Sequence, residues 1–190
     1  MKIETKIVNG LERLSEALKS LLWEQAKTHG ISPIQIQILL FVFNHRTDLC
    51  NVSYLAKEFN VTKATVSDAV KTLFKKGLLE KDFSPTDNRR YNLIITPTGT
   101  ALVNQISDYA LPVSEELSSF DKLTLADIFD IISKLIFQLN QRGIIQIQRT
   151  CFKCKYYSGD KINRHYCNLM KSNLKKQDIR LDCAEFEKMA

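Results

Sequence analysis

Histidine is scarce in this chain, three residues in 190, and the arrangements that would make a hydrolase or a nucleotide enzyme are missing. There is no H-E-x-x-H pair for a catalytic zinc, no P-loop, no G-x-S-x-G elbow and no paired carboxylates on a glycine-rich scaffold. A catalytic role is not expected. The opening residues, Met1-Lys2-Ile3-Glu4-Thr5-Lys6, lack the apolar run and small-residue cleavage site of a secretory signal, and no stretch reaches the roughly 20 apolar residues of a membrane span. The expectation is a cytoplasmic protein. Cysteine is also sparse through most of the chain: Cys50 stands alone, and the other four, Cys151, Cys154, Cys167 and Cys183, fall within the last forty residues. Without a secretory signal, such a cluster reads as metal-binding or redox-active rather than as a disulfide framework.

What is present is a basic, largely helical pattern. The formal net charge is +6, concentrated in two places: residues 51–99 carry eight basic against five acidic groups, and residues 151–190 nine against five. That distribution suits a polyanion partner without proving one. Ile3, Ile7, Leu11, Leu14, Leu18, Leu21 and Leu22 recur at spacings of three and four, which predicts an amphipathic helix over about residues 2–28, stopped by Gly30. Ser32-Pro33 starts a second helix, whose apolar run Ile34 to Phe43 marks it as largely buried. Asn51 or Ser53 can cap a short third helix over 54–59. Thr62 opens a fourth, with Ala64, Val66, Ala69, Val70, Leu73 and Phe74 as its buried stripe and Gly77 as its stop.

Two short helices joined through Asn60-Val61 make a helix-turn-helix. Beyond Gly77 the pattern turns extended: residues 78–83 and 91–95 read as strands, and the polar stretch 84–90 between them as a hairpin loop. A basic-tipped hairpin directly after a helix-turn-helix has the sequence shape of a wing. Thr96-Pro97-Thr98-Gly99 then leads into a helix over about 98–118, and Thr124 with Asp127 starts another whose apolar residues run from Leu125 to Leu139. That last helix is apolar around more of its circumference than a surface helix needs. Pairing with the N-terminal helix in a homodimer interface is favoured over a simple core helix.

The fourth helix offers Thr62, Lys63, Thr65, Ser67, Asp68 and Lys71 on its exposed positions. Short hydroxyls and lysines reach base edges or phosphate oxygens without holding the backbone out of a major groove. Asp68 repels phosphate, so it is expected to face a neighbour or a base amino group. Arg89 and Arg90 at the hairpin can enter a minor groove and use its negative potential. The DNA-contact set is therefore Thr62, Lys63, Thr65, Ser67, Lys71, Arg89 and Arg90, on double-stranded DNA.

Over about residues 3–141 the chain resembles the MarR family of winged-helix regulators. Ile31-Ser32-Pro33-Ile34-Gln35 resembles that family's Pro-x-Gln helix start, and Val61-Thr62-Lys63-Ala64-Thr65-Val66-Ser67 with Leu73 and Gly77-Leu78 resembles its recognition helix and exit. Asp87-x-Arg89-x-x-x-Leu93-x-Ile95-Thr96-x-x-Gly99 follows its wing signature, with Ile95 where Leu is usual. The resemblance implies a dimer built from the terminal helices, a pseudo-palindromic operator, and Arg89 as the wing arginine. Many family members respond to small aromatic ligands or to cysteine oxidation.

The spacing Cys151-x2-Cys154-x12-Cys167-x15-Cys183 lies beyond that family's usual end. A structural four-cysteine zinc site usually takes two CxxC pairs, each on one tight turn. Here one pair and two single cysteines wrap the chain around a larger object, and a [4Fe-4S] cluster, each iron needing a thiolate from its own direction, is such an object. Aromatic or apolar groups stand within three residues of Cys154, Cys167 and Cys183, where they would exclude water. Residues 151–187 resemble the high-potential iron–sulfur proteins and the cluster-bearing small subunits of some glycyl-radical enzymes, in a CxxC-x-aromatic start, a lone third Cys and a Cys-x-x-aromatic end. Iron–sulfur is favoured over zinc. His165, two residues before Cys167, can replace a thiolate but reads more naturally as a neighbour of the site, and Cys50 reads as a small buried hydrophobe.

The predicted architecture is mainly α with a small β-hairpin wing. It comprises an N-terminal dimerisation helix (1–30), a winged helix-turn-helix (31–99), C-terminal dimerisation helices (100–144) and a four-cysteine module (145–190). The predicted function is a transcription regulator sensing redox state or a gas through its cluster. Two rival readings are a structural zinc module on a ligand-responsive regulator, and a protein–protein module that has lost DNA binding.

Overall fold

A computed structural model describes residues 1–84, 87–160 and 164–189. The chain divides into two compact units, one formed by Met1–Val52 with Lys63–Glu116 and the other by Ser53–Thr62 with Leu117–Ala190. Each is built from elements whose ends follow local chemistry.

In the first unit, α1 (Ile3–His29) ends at Gly30, where the Ile31 N–H returns to the Ala26 carbonyl at 3.1 Å. α2 (Pro33–Asn44) starts as expected: the backbone N–H of Ser32 donates to Gln35 Oε1 at 2.9 Å, one arm of a capping box, and Pro33 occupies the first helical position. Ile36, Ile38 and Leu39 are fully buried, because α2 touches α1, two later helices of the unit and the hairpin. Each such side chain contributes about 1.5–3 kcal/mol by leaving water.

α4 (Lys63–Lys75) buries Val66, Ala69, Val70 and Leu73. Ala64, expected on that stripe, is exposed: two residues before Val66 is a 200° step around an α-helix, onto the opposite face. Gly77, at φ +68°, lets the chain turn back, with the Gly77 N–H on the Phe74 carbonyl and the Leu78 N–H on the Leu73 carbonyl, both at 3.0 Å. The antiparallel strands β1 (Leu79–Ser84) and β2 (Asp87–Ile95) follow. The Leu93 N–H donates to the Cys50 carbonyl at 2.7 Å, pinning β2 to the segment that precedes α3 (Val52–Glu58).

The single helix expected over 98–118 is two: α5 (Pro97–Ile106) and α6 (Leu111–Leu117), separated by a turn at 107–110. Pro112 has no N–H for the carbonyl of residue 108, so a continuous helix cannot form through it, whereas the first turn of a new helix tolerates it.

In the second unit, α7 (Lys122–Gln141) begins before the expected Thr124. Asp121 is its cap, accepting from the Leu123 and Thr124 backbone N–H groups at 2.9 and 3.1 Å and from the Thr124 hydroxyl at 2.6 Å. A carboxylate accepting several donors at the positive end of a helix outcompetes the hydroxyl expected there. The C-terminal region folds as a small antiparallel sheet, β3 (Tyr157–Gly159), β4 (His165–Cys167) and β5 (Ser172–Asn173), with short 3-10 turns at Cys151–Lys153 and Lys176–Asp178. α3 and the turn after it belong to this unit. Among the described residues, no helix is long and apolar enough to cross a membrane.

Candidate DNA interface and four-cysteine cavity

Burial of Val66, Ala69, Val70 and Leu73 leaves the other faces of α4 in solvent. Thr62, Lys63, Thr65, Asp68 and Lys71 are exposed and Ser67 is half-buried. Asp68 faces a neighbour, as expected: Lys71 Nζ lies 3.0 Å from its Oδ1. Both side chains remain largely in solvent, so the pair is weak and an approaching phosphate can compete for the lysine.

The wing differs from its sequence reading in length. The strands continue into the stretch expected to be a loop: Phe83 pairs with Tyr91 and Ser84 with Asp87, with an irregularity between Phe83 and Ser84. Positions 88–90 therefore lie on β2 rather than on a hairpin loop, because the extra residues of the longer arm are absorbed as a bulge. Arg90 is exposed, whereas the Arg89 side chain lies outside the described residues. Two groups hold the base of the wing. The Thr96 hydroxyl donates to the Gly77 carbonyl at 2.7 Å and accepts from the Gly99 N–H at 3.0 Å, joining the exit of α4 to the start of α5. The Lys81 ammonium, which the sequence reading did not single out, stands 4.6 Å from the Tyr91 ring centroid, 5.4 Å from Phe74 and 5.8 Å from Phe83.

The four clustered cysteines, 30 or more residues apart at their extremes, line one cavity of about 210 Å³ with Tyr156, Tyr157, Leu169, Met170 and Leu174. Backbone geometry brings them there. The Cys154 N–H returns to the Cys151 carbonyl at 3.0 Å, closing the CxxC turn; β3 and β4 pair Tyr157 with Cys167; and the Cys183 N–H donates to the Arg149 carbonyl at 3.1 Å. All four thiols are free. Cys151 Sγ accepts the Arg180 backbone N–H at 3.3 Å, and the Arg180 guanidinium lies 3.7 Å from Cys183 Sγ. Burial pushes the Cys151 thiol above its ordinary value, the Arg180 N–H opposes that, and the nearness of Cys183, Cys154 and Cys167 adds to it. A cation placed among the sulfurs reverses that balance and favours thiolates.

Among the described residues, no three His, Cys, Asp or Glu side chains stand close enough to share one metal ion. A tetrahedral zinc with sulfurs about 2.3 Å away would gather the thiols around one point. Here the four cysteines line a cavity several times the roughly 30 Å³ of one water molecule, together with aromatic and apolar side chains. His165 does not reach that cavity. It is buried, its Nδ1 is 2.7 Å from the Tyr157 hydroxyl, and it lines a separate cavity of about 340 Å³ against α7. Cys50 is fully buried with its thiol 3.3 Å from the Arg46 carbonyl, a small core residue as expected.

A third constellation was not legible in the sequence. Arg149 is 3% exposed, and its guanidinium makes a two-pronged pair with Glu58, Nη1 to Oε2 at 2.6 Å and Nη2 to Oε1 at 3.0 Å. It makes a second with Asp182, Nε to Oδ1 at 2.6 Å and Nη2 to Oδ2 at 2.8 Å, and Nη1 also donates to the Tyr54 hydroxyl at 3.1 Å. Burial works against the charge on Arg149, but the bonds to Glu58, Asp182 and Tyr54 outweigh it and raise its pKa further. Burial raises the pKa of Tyr54, with Arg149 opposing. Nothing in periodicity or motif points to these four residues, which are up to 128 positions apart in the chain.

Residues 29–90 match the family model described as MarR family. The chain is 30% identical over 92 residues, 48% of its length, to a Thauera aromatica protein named for transcriptional regulation of its hcr operon, and spans about half, 54%, of that protein. It is 27% identical over 112 residues to the HTH-type transcriptional repressor YetL of Bacillus subtilis (strain 168), covering 55% of this chain and 67% of YetL. Among solved structures it is similar to the S. aureus MepR–DNA complex, with a TM-score of 0.60, 21% identity, and coverage of 70% of this chain and 97% of that one. It is likewise similar to a MarR transcriptional regulator from Methanosarcina mazei Go1, with a TM-score of 0.60, 20% identity, and coverage of 73% and 98%. The matching stretch 29–90 ends well before Cys151. The solved structures show a shared winged-helix fold, and within it residues 29–90 are similar to the MarR family model.

Proposed function

We propose that this chain is a homodimeric DNA-binding transcription regulator of the MarR type, in which a [4Fe-4S] cluster held by Cys151, Cys154, Cys167 and Cys183 sets operator affinity according to redox state or a bound gas. The observation that carries the DNA-binding part is the exposed face of α4, with Thr62, Lys63, Thr65 and Lys71 in solvent, followed directly by the β1–β2 wing bearing Arg90. The relatives named for transcriptional control support the same reading. In this reading α4 enters a major groove, the wing follows the backbone or the adjacent minor groove, and two copies address a pseudo-palindromic operator.

Dimerisation is supported by apolar residues left in solvent on the two long helices. On α1 these include Ile3, Ile7, Leu11, Leu14, Leu18 and Trp23; on α7 they include Leu123, Ile131, Ile132, Leu135 and Phe137. Stripes of that length are uncommon on a monomer and are what a second copy would cover.

The cluster is favoured over a single zinc ion by the spacing, one CxxC pair and two single cysteines rather than two pairs, and the four soft sulfur donors line one cavity large enough to hold more than a single ion. When bound, such a cluster supplies one-electron chemistry and a reactive target for oxidants and gases. This chain's own residues do the rest: Tyr156, Tyr157, Leu169 and Met170 limit water around the sulfurs, and the Arg180 N–H groups stabilise negative charge on Cys151 and Cys183.

The DNA-binding reading is tested by selecting duplexes from a randomised library with the wild-type chain and titrating salt against the winner. The expected result is a pseudo-palindromic site whose binding constant falls steeply with salt, about 0.9 log unit per log unit of salt for each phosphate contacted. Absence of salt-dependent duplex binding would favour the protein–protein module instead.

A further inference from the structure

Arg149 and Asp182 sit beside two of the cavity cysteines, two residues before Cys151 and one before Cys183. Backbone bonds hold two short strands of chain, 149–151 and 180–183, side by side at a parallel bridge between Arg149 and Asp182: the Cys151 N–H donates to the Arg180 carbonyl at 3.2 Å and the Cys183 N–H to the Arg149 carbonyl at 3.1 Å. The far side of the Arg149 guanidinium grips Glu58 and Tyr54, four residues apart on one face of α3. A second link reaches the turn itself, where Gln146 Nε2 donates to Asn60 Oδ1 at 3.2 Å and Asn60 holds a left-handed backbone, φ +52°. Residues 53–62, the first helix of the helix-turn-helix and its turn, are thus fastened by side chains to the strands that carry Cys151 and Cys183.

We propose that Arg149 is a positioning residue of the DNA-recognition element: it fixes α3 according to whether the Cys151 and Cys183 strands are held together, and so transmits the state of the cysteine module to DNA affinity. The proposal rests on the DNA-binding reading above. Its physics is that of a buried ion pair. A two-pronged guanidinium–carboxylate pair is directional, so Arg149 can meet Glu58 and Asp182 together only in one placement. When the strands separate, Arg149 keeps Glu58 but loses Asp182, the second carboxylate that fixes the guanidinium's placement, so the buried cation shifts to regain a partner and the hold on α3 loosens. Only residues 59–62 connect α3 to α4, and the Val61 N–H on the Ala56 carbonyl at 3.0 Å keeps that connection tight. A change at α3 therefore reaches α4 through only four residues of chain.

The test is amide hydrogen exchange on the full-length protein together with binding to the duplex selected by the wild type. Asp182→Asn is the informative variant, because the Asp182 side chain is half-exposed and its loss leaves the Glu58 pair in place. Asp108→Asn, an exposed carboxylate elsewhere, is the charge-matched control. Asp182→Asn is expected to speed exchange of the α3 amides roughly tenfold over the control, and to weaken duplex binding although it removes a negative charge. Glu58→Gln is expected to speed exchange reciprocally in 149–151 and 180–183. Cys167→Ser is expected to speed α3 exchange in the parent but to add nothing on top of Asp182→Asn.

Unchanged α3 exchange in Asp182→Asn, additive effects with Cys167→Ser, or duplex binding no weaker than in Asp108→Asn would each overturn the proposal. Failure of the wild type itself to bind any duplex would instead defeat the DNA-binding reading, and the exchange measurements would still decide whether Arg149 couples the module to α3.

Discussion

The backbone of Gly99 passes so close to Leu78 that a Cβ at position 99 would stand 2.2 Å from the Leu78 carbonyl oxygen and 2.8 Å from Ile95 Cγ1. This contact, with Thr96 bridging Gly77 and Gly99, locks the start of α5 onto the base of the wing. Gly99→Ala is expected to lower unfolding free energy by about 1–3 kcal/mol through a backbone clash that no rotamer relieves. The midpoint of urea unfolding measures it, and an unchanged midpoint would refute the tight approach.

The ion pair on α4 gives a prediction of opposite sign to most mutations at a binding surface. Asp68→Asn removes a phosphate-repelling carboxylate and releases Lys71 from its 3.0 Å pair, so duplex affinity should rise. Lys71→Ala should lower affinity similarly for related sequences and flatten the salt dependence by about one phosphate contact. Filter binding or fluorescence anisotropy over a salt series reads both.

A charge placed on the exposed apolar stripe of α1 or α7 should separate dimerisation from folding. Leu14, 57% exposed, and Ile131, 65% exposed, cost little to change in an isolated chain. Leu14→Asp and Ile131→Asp are expected to retain helical circular dichroism, sediment as monomers and bind duplex at least about tenfold more weakly, a change of ~1.4 kcal/mol. A dimer of unchanged affinity in both variants would place the interface elsewhere.

The cap of α7 carries a pH dependence. The Thr124 hydroxyl, and then the Thr124 and Leu123 backbone N–H groups, hold the Asp121 carboxyl below its ordinary value of 3.8. A group depressed in the folded state stabilises fully above its unfolded pKa and loses that contribution as pH falls through the folded one. Acid titration of helicity should therefore show α7 fraying below the ordinary aspartate range, and Asp121→Asn should remove that step while leaving neutral-pH helicity nearly intact.

Much of the winged-helix half was legible in the sequence because its signals are local. The three-and-four spacing of Val66, Ala69, Val70 and Leu73, the Ser32-Pro33 start and the Gly77 stop each act within a few residues of themselves. The errors fell where a competing local effect decided the outcome. Pro112 splits the helix expected over 98–118, the Asp121 carboxylate outcompetes Thr124 as a cap, and the two strands extend with a bulge into the expected hairpin loop. The spacing of the four clustered cysteines predicted that they would share one place in the fold, and they line one cavity. The Arg149 network was invisible because its members, Tyr54, Glu58, Arg149 and Asp182, meet only through the tertiary fold and share no period or motif.

Whether the four cysteines hold a cluster is decided by iron, zinc and acid-labile sulfide analysis, with a visible absorption spectrum, on protein purified without oxygen. The expected result is a brown protein with about four irons and four sulfides per chain, and loss of both in Cys167→Ser. A colourless protein holding one zinc per chain would contradict it, making the module a structural staple and returning the search for a signal to a small-molecule ligand.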